Sequence, residues 1–282
     1  MELLVERFEA MPPQLKVAAR FVLDHPEDVA LMSMREQANQ AGVSHSTMMR
    51  LARWLGLEGY EDMRDLYARA LRKQSSGRPL ALAGNQDGDG GYSTVGTVAD
   101  LLAAQVASLG EYVSAAQFIA AADVLAGGRN LYSLGLRAEY AVAYHFAQTL
   151  SLLGNRVVHL DAAGGTGVDM LSAAGQGDAV LAIGLQPYAR STVEMAQIAA
   201  QRGVSVVAIT DSRVSPLARL ARESIVVTAS SQSFFQSMVP AMAAAEILAA
   251  LVAAGSGANV EAAVKDVQKL LATLEVYWKP PR

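Results

Sequence analysis

Four segments in the second half of this 282-residue chain gather hydroxyls, glycines and arginines in a way that suits an anionic ligand. They read Gly135-Leu136-Arg137-Ala138-Glu139, Asp161-Ala162-Ala163-Gly164-Gly165-Thr166-Gly167, Gln186-Pro187-Tyr188-Ala189-Arg190-Ser191-Thr192 and Thr210-Asp211-Ser212-Arg213-Val214-Ser215-Pro216. Each follows a short apolar run. Guanidinium groups bind phosphate or carboxylate through forked donors, and free helix amides add further bonds. The candidate effector-binding residues are Gly135, Arg137, Glu139, Arg190, Ser191, Thr192, Asp211 and Ser215. The rival reading for Ser191, Thr192 and Ser215 is plain helix capping, which Ser and Thr perform in any protein.

Catalytic chemistry has less support. Isomerising a sugar needs a base within reach of a carbon-bound proton. Glu139, His145 and Glu246 are the candidates. His145, between Tyr144 and Phe146 in a helical stretch, reads as a packed core histidine. His25 precedes Pro26 and reads as a surface cap, and His159 lies in a strand between Val158 and Leu160. No two histidines have metal-ligand spacing. Cysteine is absent, which removes thiolate metal sites, iron–sulfur clusters, a thiol nucleophile and disulfides. Neither a Ser-His-Asp arrangement nor a GxxxxGK[ST] loop is present. Gly164-Gly165-Thr166-Gly167 lacks the spacing and the acidic partner of a dinucleotide fingerprint. The expectation is no catalytic residue, no metal and no cofactor.

A different chemistry is written near the amino terminus. Ser33-Met34-Arg35-Glu36 has the form of a capping box, in which serine and glutamate satisfy each other's backbone amides. A short helix to Ala41, a turn at Gly42-Val43 and a second cap at Ser44 follow, opening a helix over His45–Leu55. That helix carries Met48, Leu51 and Leu55 on one face and His45, Ser46, Met49, Arg50 and Arg53 on the other. Two helices joined by a glycine turn, with small polar residues leading the second, form a helix-turn-helix pattern. The leading residues must be short because the major groove is only about 12 Å wide. Residues 1–74 hold ten Lys/Arg against eleven Asp/Glu, yet no carboxylate occurs from Gln37 through Leu57. A helix facing DNA must be free of acids even where the rest of its domain is not. The candidate DNA-binding residues are Ser44, His45, Ser46, Thr47, Arg50 and Arg53.

Those residues need scaffolds of two kinds. Residues 1–75 read as helix after helix, including Tyr60–Gln74 with Met63, Leu66, Tyr67 and Leu71 on one stripe. Residues 76–96 are rich in Gly, Asp and Ser and form a flexible linker candidate. Residues 97–282 alternate β-branched runs with amphipathic ones. Runs at Asn130–Leu136, Arg156–Asp161, Asp178–Leu185, Val204–Asp211 and Ser224–Ser230 predict five strands. The near-continuous apolar character of the third and fourth fits strands covered on both faces. Helices are expected at about 97–110 and 114–126 before the sheet, and at 235–254 and 258–275 after it. The fold class is therefore an all-α domain followed by an α/β doubly wound five-stranded parallel sheet.

Composition limits the rest. The chain is 52% apolar and 18% charged with a net charge of −4, so it can build a core and is no basic nucleic-acid coat. Its first residues are charged too early for a signal peptide. The most apolar stretch, Ala241 to Ala254, contains Glu246 and falls short of a membrane span. No membrane partner is expected, and a cytoplasmic location is.

The stretch from Pro13 to Ala30, then Met34-Arg35-Glu36-Gln37-Ala38, Ala41-Gly42-Val43-Ser44 and Arg50-Leu51-Ala52-Arg53-Trp54-Leu55-Gly56, resembles the DNA-binding domain of RpiR-type bacterial transcription regulators. Residues 97–275 resemble the SIS (sugar isomerase) domain that follows it in that family. The resemblance implies a homodimer or homotetramer that binds double-stranded operator DNA and senses a small molecule, usually a phosphosugar. It also implies hydroxyls in the loops after the first and third strands. Ser191 or Thr192 matches the second by position, and Thr210-Asp211-Ser212 with Ser215-Pro216-Leu217-Ala218 is similar to the motif after the fourth. Two places depart. Glu139 stands where a phosphate-binding serine is common, and Tyr188-Ala189 replaces a small Ser-Gly pair. A carboxylate beside a phosphate is repulsive unless Arg137 or Arg190 offsets it. The expected function is a DNA-binding regulator whose sensor takes a sugar phosphate or related carbohydrate derivative. The alternatives are a sugar-phosphate isomerase with a helical oligomerisation domain, and a protein-binding scaffold.

Overall fold

The computed structural model describes residues 2–74, 90–153, 157–161, 167–228, 236–255 and 260–278. Residues 75–89 of the predicted linker and 162–166 of the glycine-rich loop lie outside the described residues. The chain divides into two compact units, one built on the amino-terminal ninety residues and one on Gly91–Asp211 with Ser215–Arg282.

Among the described residues the first unit holds six α-helices: α1 (Glu2–Arg7), α2 (Pro13–Asp24), α3 (Pro26–Leu31), α4 (Met34–Gln40), α5 (His45–Trp54) and α6 (Tyr60–Gln74). Pro13 and Pro26 stand at first helical positions, where a missing N–H costs nothing and the fixed φ suits the helix. Leu15, Ala18, Ala19 and Val22 from α2 meet Val29, Ala38, Met48, Leu51 and Met63 in one core. Gln37 is buried inside it. Its side-chain amide donates to the carbonyls of Asp28 (3.1 Å), Val29 (3.1 Å) and Met32 (3.3 Å), so α4 closes the open end of α3.

The second unit opens with α7 (Gly90–Ser108) and α8 (Tyr112–Ala126). Helix α7 starts at Gly90, inside the stretch that reads as linker. A mid-helix glycine such as Gly96 costs only about 1 kcal/mol, which the long apolar run after it absorbs. Strands β1 (Leu131–Leu134), β2 (Val157–Leu160), β3 (Ala179–Gly184), β4 (Ser205–Thr210) and β5 (Glu223–Val226) form one all-parallel sheet in the order β2-β1-β3-β4-β5. Helices α9 (Tyr140–Leu152) and α10 (Arg190–Gln201) cross between strands, and α11 (Val239–Gly255) and α12 (Val260–Thr273) follow. This is the doubly wound sheet that the sequence predicts.

Alternation along the strands divides the core. Leu131, Leu181, Ile183, Val207 and Ile209 face α8, α9 and α11, while Tyr132, Leu134, Val180, Ala182, Val206 and Ala208 face α10. Strand β3 is buried at all six positions. Helix α11 lies in the core through Ala241, Ala244, Ala245, Leu248, Ala249 and Val252. Helix α12 keeps Leu270 exposed, Leu274 just past its end is exposed too, and Trp278 beyond is 82% exposed.

At the amino edge of the sheet, the fully buried Asp178 carboxylate accepts from the Asn130 N–H (3.2 Å), Asn130 Nδ2 (3.0 Å), the Gly175 N–H (3.0 Å) and Arg129 Nε (3.2 Å). Burial pushes its pKa up, but the bonds from Gly175 and Asn130 and the Arg129 charge outweigh that and hold it low.

Candidate DNA-reading helix and ligand site

Helix α4 begins with the capping box read from the sequence. Ser33 N–H donates to Glu36 Oε2 (2.9 Å), Ser33 Oγ donates to the same oxygen (2.7 Å), and the Glu36 N–H returns to Ser33 Oγ (3.4 Å). The Ser33 hydroxyl and then its backbone amide hold the Glu36 carboxyl below its ordinary range. Gly42 turns the chain at φ +65°, a left-handed conformation that a side chain would strain. The Val43 N–H then closes back on the Ala38 carbonyl at 2.9 Å.

Ser44 caps α5, accepting from the Thr47 N–H at 3.2 Å. Its hydroxyl also shares hydrogen bonds with Ser46 (2.8 Å) and Thr47 (2.9 Å). His45, Ser46, Arg50 and Arg53 are exposed on the opposite side from the buried Met48 and Leu51. Among the described residues neither Arg50 nor Arg53 has an ion-pair partner. Thr47 differs from its sequence reading as a DNA-facing residue. It is only 6% exposed, because it lies one helical turn before Leu51 on the inward face, and its hydroxyl is tied to Ser44. At the other end of α5, Arg7 covers the Trp54 ring at 6.0 Å from its centroid.

The second site lies at the carboxyl edge of the sheet. The strand order reverses between β1 and β3, and ligands of open parallel sheets bind outside the strand ends at that point. Gly135 leaves β1. A Cβ there would sit 2.7 Å from the Glu139 carbonyl oxygen and 3.1 Å from Ala143 Cβ, so only glycine lets the turn Arg137–Glu139 fold against it. Arg137, exposed, opens that turn at φ +63°, an uncommon conformation for a residue with a side chain. Glu139 is 7% exposed, and its Oε1 accepts from the Leu185 N–H at 3.2 Å, across the reversal point.

The loop after β3 is held from the other side as well. Asp211 Oδ2 accepts from the Gln186 N–H (3.0 Å), and Oδ1 accepts from the Tyr188 phenol (2.7 Å). Thr210 Oγ1 donates to the Gly184 carbonyl at 2.8 Å. Helix α10 then starts from Ala189 with no side-chain cap. Ser191 and Thr192 are therefore inside the first turn and cap nothing. Ser191 is exposed; Thr192 is 1% exposed, and its hydroxyl has no partner among the described residues. Arg190 Nε meets Glu194 Oε1 at 2.6 Å on the surface. Ser215 opens a turn and no helix: its buried hydroxyl accepts from the Ala218 N–H at 2.9 Å.

The three base candidates do not gather. Glu139 serves the β3 loop, while His145 Nε2 meets Glu246 Oε1 at 3.2 Å on the surface of α9 and α11. His145 is not the core residue its neighbours suggest, because α9 buries Val142, Ala143, Phe146, Ala147 and Leu150 and leaves position 145 on the flank. His25 adds no side-chain cap to α3; its Nδ1 lies 3.6 Å from Asp28. His159 stands edge-on to the Tyr140 and Tyr144 rings, with centroids 4.9 and 5.9 Å away. Tyr188 escapes a reading by motif, since its partner lies one strand further along and the pairing follows only from the sheet order. Among the described residues no group of three or more His, Cys, Asp or Glu could hold a metal.

A capped helix after a glycine turn, joined in one chain to a reversed parallel sheet with open loops, defines a DNA reader coupled to a sugar-isomerase-type fold. The helix-turn-helix domain model of the rpiR family matches residues 2–74, and the SIS domain model matches residues 124–251. The chain belongs to the RpiR-type transcription regulators with a SIS domain. It is 25% identical over 225 residues to an uncharacterized HTH-type transcriptional regulator of Caldanaerobacter subterraneus subsp. tengcongensis, covering 79% of this chain and 77% of that protein. It is 26% identical over 219 residues to the HTH-type transcriptional regulator HexR of Pseudomonas aeruginosa, covering 78% and 75%. Vibrio vulnificus NanR, solved in complex with ManNAc-6P, shares the fold with a TM-score of 0.56 at 21% identity, over 96% of this chain and 98% of that one.

Proposed function

We propose that this regulator reads operator DNA with the exposed face of α5 and changes its affinity for that DNA when a sugar phosphate, or a related anion, binds at the carboxyl edge of the sheet. The observation that carries the DNA half is the tip of α5. His45, Ser46, Arg50 and Arg53 face solvent with Ser44 at their head, no carboxylate occurs from Gln37 through Leu57, and the opposite face is sealed in the core. Positive and small polar groups on a fixed helix end suit phosphates and base edges alike. Thr47 has a positioning role in this reading, holding the Ser44 hydroxyl rather than touching DNA.

The effector half is supported by the Thr192 hydroxyl, buried in the first turn of α10 without a partner among the described residues. Three amides of that turn point the same way as in any helix start and favour an anion. Arg190 and Ser191 in the same turn and Arg137 in the loop after β1 are exposed, and Gly135 and Ser215 belong to the loops after β1 and β4. The ManNAc-6P complex of NanR adds weight to a phosphorylated sugar. The proposal includes a non-catalytic, cytoplasmic protein with a helix-turn-helix domain over 1–75, a linker shortened to 76–89 because α7 begins at Gly90, and a sensor from Gly90 onward. It acts as a homodimer or homotetramer, so that two copies of α5 meet a palindromic operator.

Fluorescence anisotropy on DNA from upstream of the protein's own coding region tests this. Arg50→Ala is expected to weaken binding at least about tenfold and, where Arg50 reaches a phosphate, to lower the salt slope by about one. Unchanged binding by a folded Arg50→Ala protein overturns the assignment of α5. Thermal shift against phosphosugars tests the sensor, and stabilisation by none of them overturns that half.

A further inference from the structure

We infer that Glu139 and Asp211 are positioning residues that clamp the β3–α10 loop from both sides, and that the Tyr188 phenol is the latch of that clamp. The inference rests on the reading of the carboxyl edge as the effector site, and it changes what two of the expected ligand contacts do there. Residues 185–189 join the last buried residue of β3 to the first turn of α10. No side chain caps α10, so the usual local device for fixing a helix start is missing. Two carboxylates from neighbouring strand ends take its place. Glu139, from the β1 side, accepts from the Leu185 N–H at 3.2 Å. Asp211, from the β4 side, accepts from the Gln186 N–H at 3.0 Å and from the Tyr188 hydroxyl at 2.7 Å.

Both Asp211 oxygens are thereby engaged within the protein, which leaves the residue poorly suited to receive ligand hydroxyls. Glu139 is buried with one oxygen committed to the same loop. The negative charges are spent on backbone amides four and five residues before α10 and on the Tyr188 phenol two residues before it. The anion is left to the first-turn amides of α10 and to the Thr192 hydroxyl, which has no partner among the described residues. The carboxylates and an anionic ligand thus occupy consecutive stretches of one loop and do not share donors. The clamp also explains the departure of Tyr188 from a small residue. A phenol spans the gap to Asp211 that a serine or glycine cannot, and its ring edge lies 3.9 Å from where a Cβ at Gly184 would stand, a place Leu217 approaches more closely at 2.7 Å.

The test uses the full-length chain, labelled for amide NMR and titrated with inorganic phosphate, with ManNAc-6P as a second probe. In the wild type the amide resonances of Arg190, Ser191 and Thr192 are expected to shift in a saturable way. Tyr188→Phe, which keeps the ring and removes the latch, is expected to weaken that response about fivefold with the melting temperature unchanged. Asp211→Ala is expected to weaken it further, and adding Tyr188→Phe to Asp211→Ala to cost nothing more. A wild type that ignores both probes overturns the effector-site reading and the inference with it. A wild-type response that Tyr188→Phe and Asp211→Ala leave unaltered overturns the clamp alone. If Asp211→Ala does not fold, Tyr188→Phe decides the matter by itself.

Discussion

Replacing Ser44 separates what holds the tip of α5 together from what that tip meets. In Ser44→Ala the Thr47 N–H keeps only the Ser44 carbonyl (2.9 Å) and loses the capping hydroxyl, and the Ser46 and Thr47 hydroxyls lose their hydrogen-bond partner. Loss of a serine cap costs about 1 kcal/mol. The Thr47 hydroxyl, 6% exposed and now without a partner, adds about 1 kcal/mol. The total of about 2 kcal/mol shifts the folded-to-unfolded ratio of the first unit about 30-fold. Trp54 reports on this unit, and Trp278, which is 82% exposed, is removed as a second signal by Trp278→Phe. Urea unfolding followed by Trp54 fluorescence then gives the loss directly. Ser44→Asp is the counterpart. Aspartate caps as well as serine and suits the positive helix end, so stability stays within about 0.5 kcal/mol of the wild type. It also places a carboxylate at the end of α5 that enters the groove in this reading, and DNA affinity is expected to fall at least about tenfold. An unchanged urea midpoint for Ser44→Ala refutes the cap reasoning. Wild-type DNA affinity for a stable Ser44→Asp protein refutes the DNA assignment.

Four further outcomes are expected. Gln37→Leu leaves the carbonyls of Asp28, Val29 and Met32 without their buried donor, and chemical denaturation should show a loss of about 2–3 kcal/mol in the first unit. Asp178→Ala orphans the Gly175 and Asn130 amides beneath β1 and β3, and calorimetry should show the second unit melting at least about 5 °C lower. Because its folded pKa is held low, Asp178 contributes stability above the ordinary value of 3.8, lost as pH falls through the folded value. His159 acts at milder acidity. Desolvation lowers its pKa from 6.5, opposed by the Asp161 charge and the Ser133 backbone, so the unfolded chain takes up a proton that the folded chain resists. Stability should fall as pH drops below about 6.5, and His159→Phe should flatten that part of the denaturation profile. Gly135→Ala drives a Cβ to 2.7 Å from the Glu139 carbonyl oxygen; thermal shift should show both lower stability and loss of any ligand response.

Signals confined to four residues or fewer are legible in the sequence itself. Ser33 with Glu36, and Ser44 ahead of Thr47, announce their own hydrogen bonds, and both caps form as spaced. Tyr60–Gln74 is a helix over the whole predicted range. The strands follow because five apolar runs separated by helical stretches admit few arrangements other than a parallel sheet. The start of α10 is not legible in this way. Ser191 and Thr192 look like caps, but the helix begins earlier because Asp211, a strand away, fixes the loop. Chemistry makes Thr47 look DNA-facing where helical phase decides, and apolar neighbours make His145 look buried where a shift of one position moves it to the surface. The partnership of Glu139 with Leu185 needs the strand order, which local pattern does not contain.

Strands β1 and β3 are enclosed at every position, and β4 at all but its first. A slab packed this tightly has no softness to lend to a passenger molecule. In the proposed reading, whatever shape the sensor recognises is therefore written in the connections above the slab, and replacing those connections as a set would redirect the sensor to another metabolite while its foundation stayed in place.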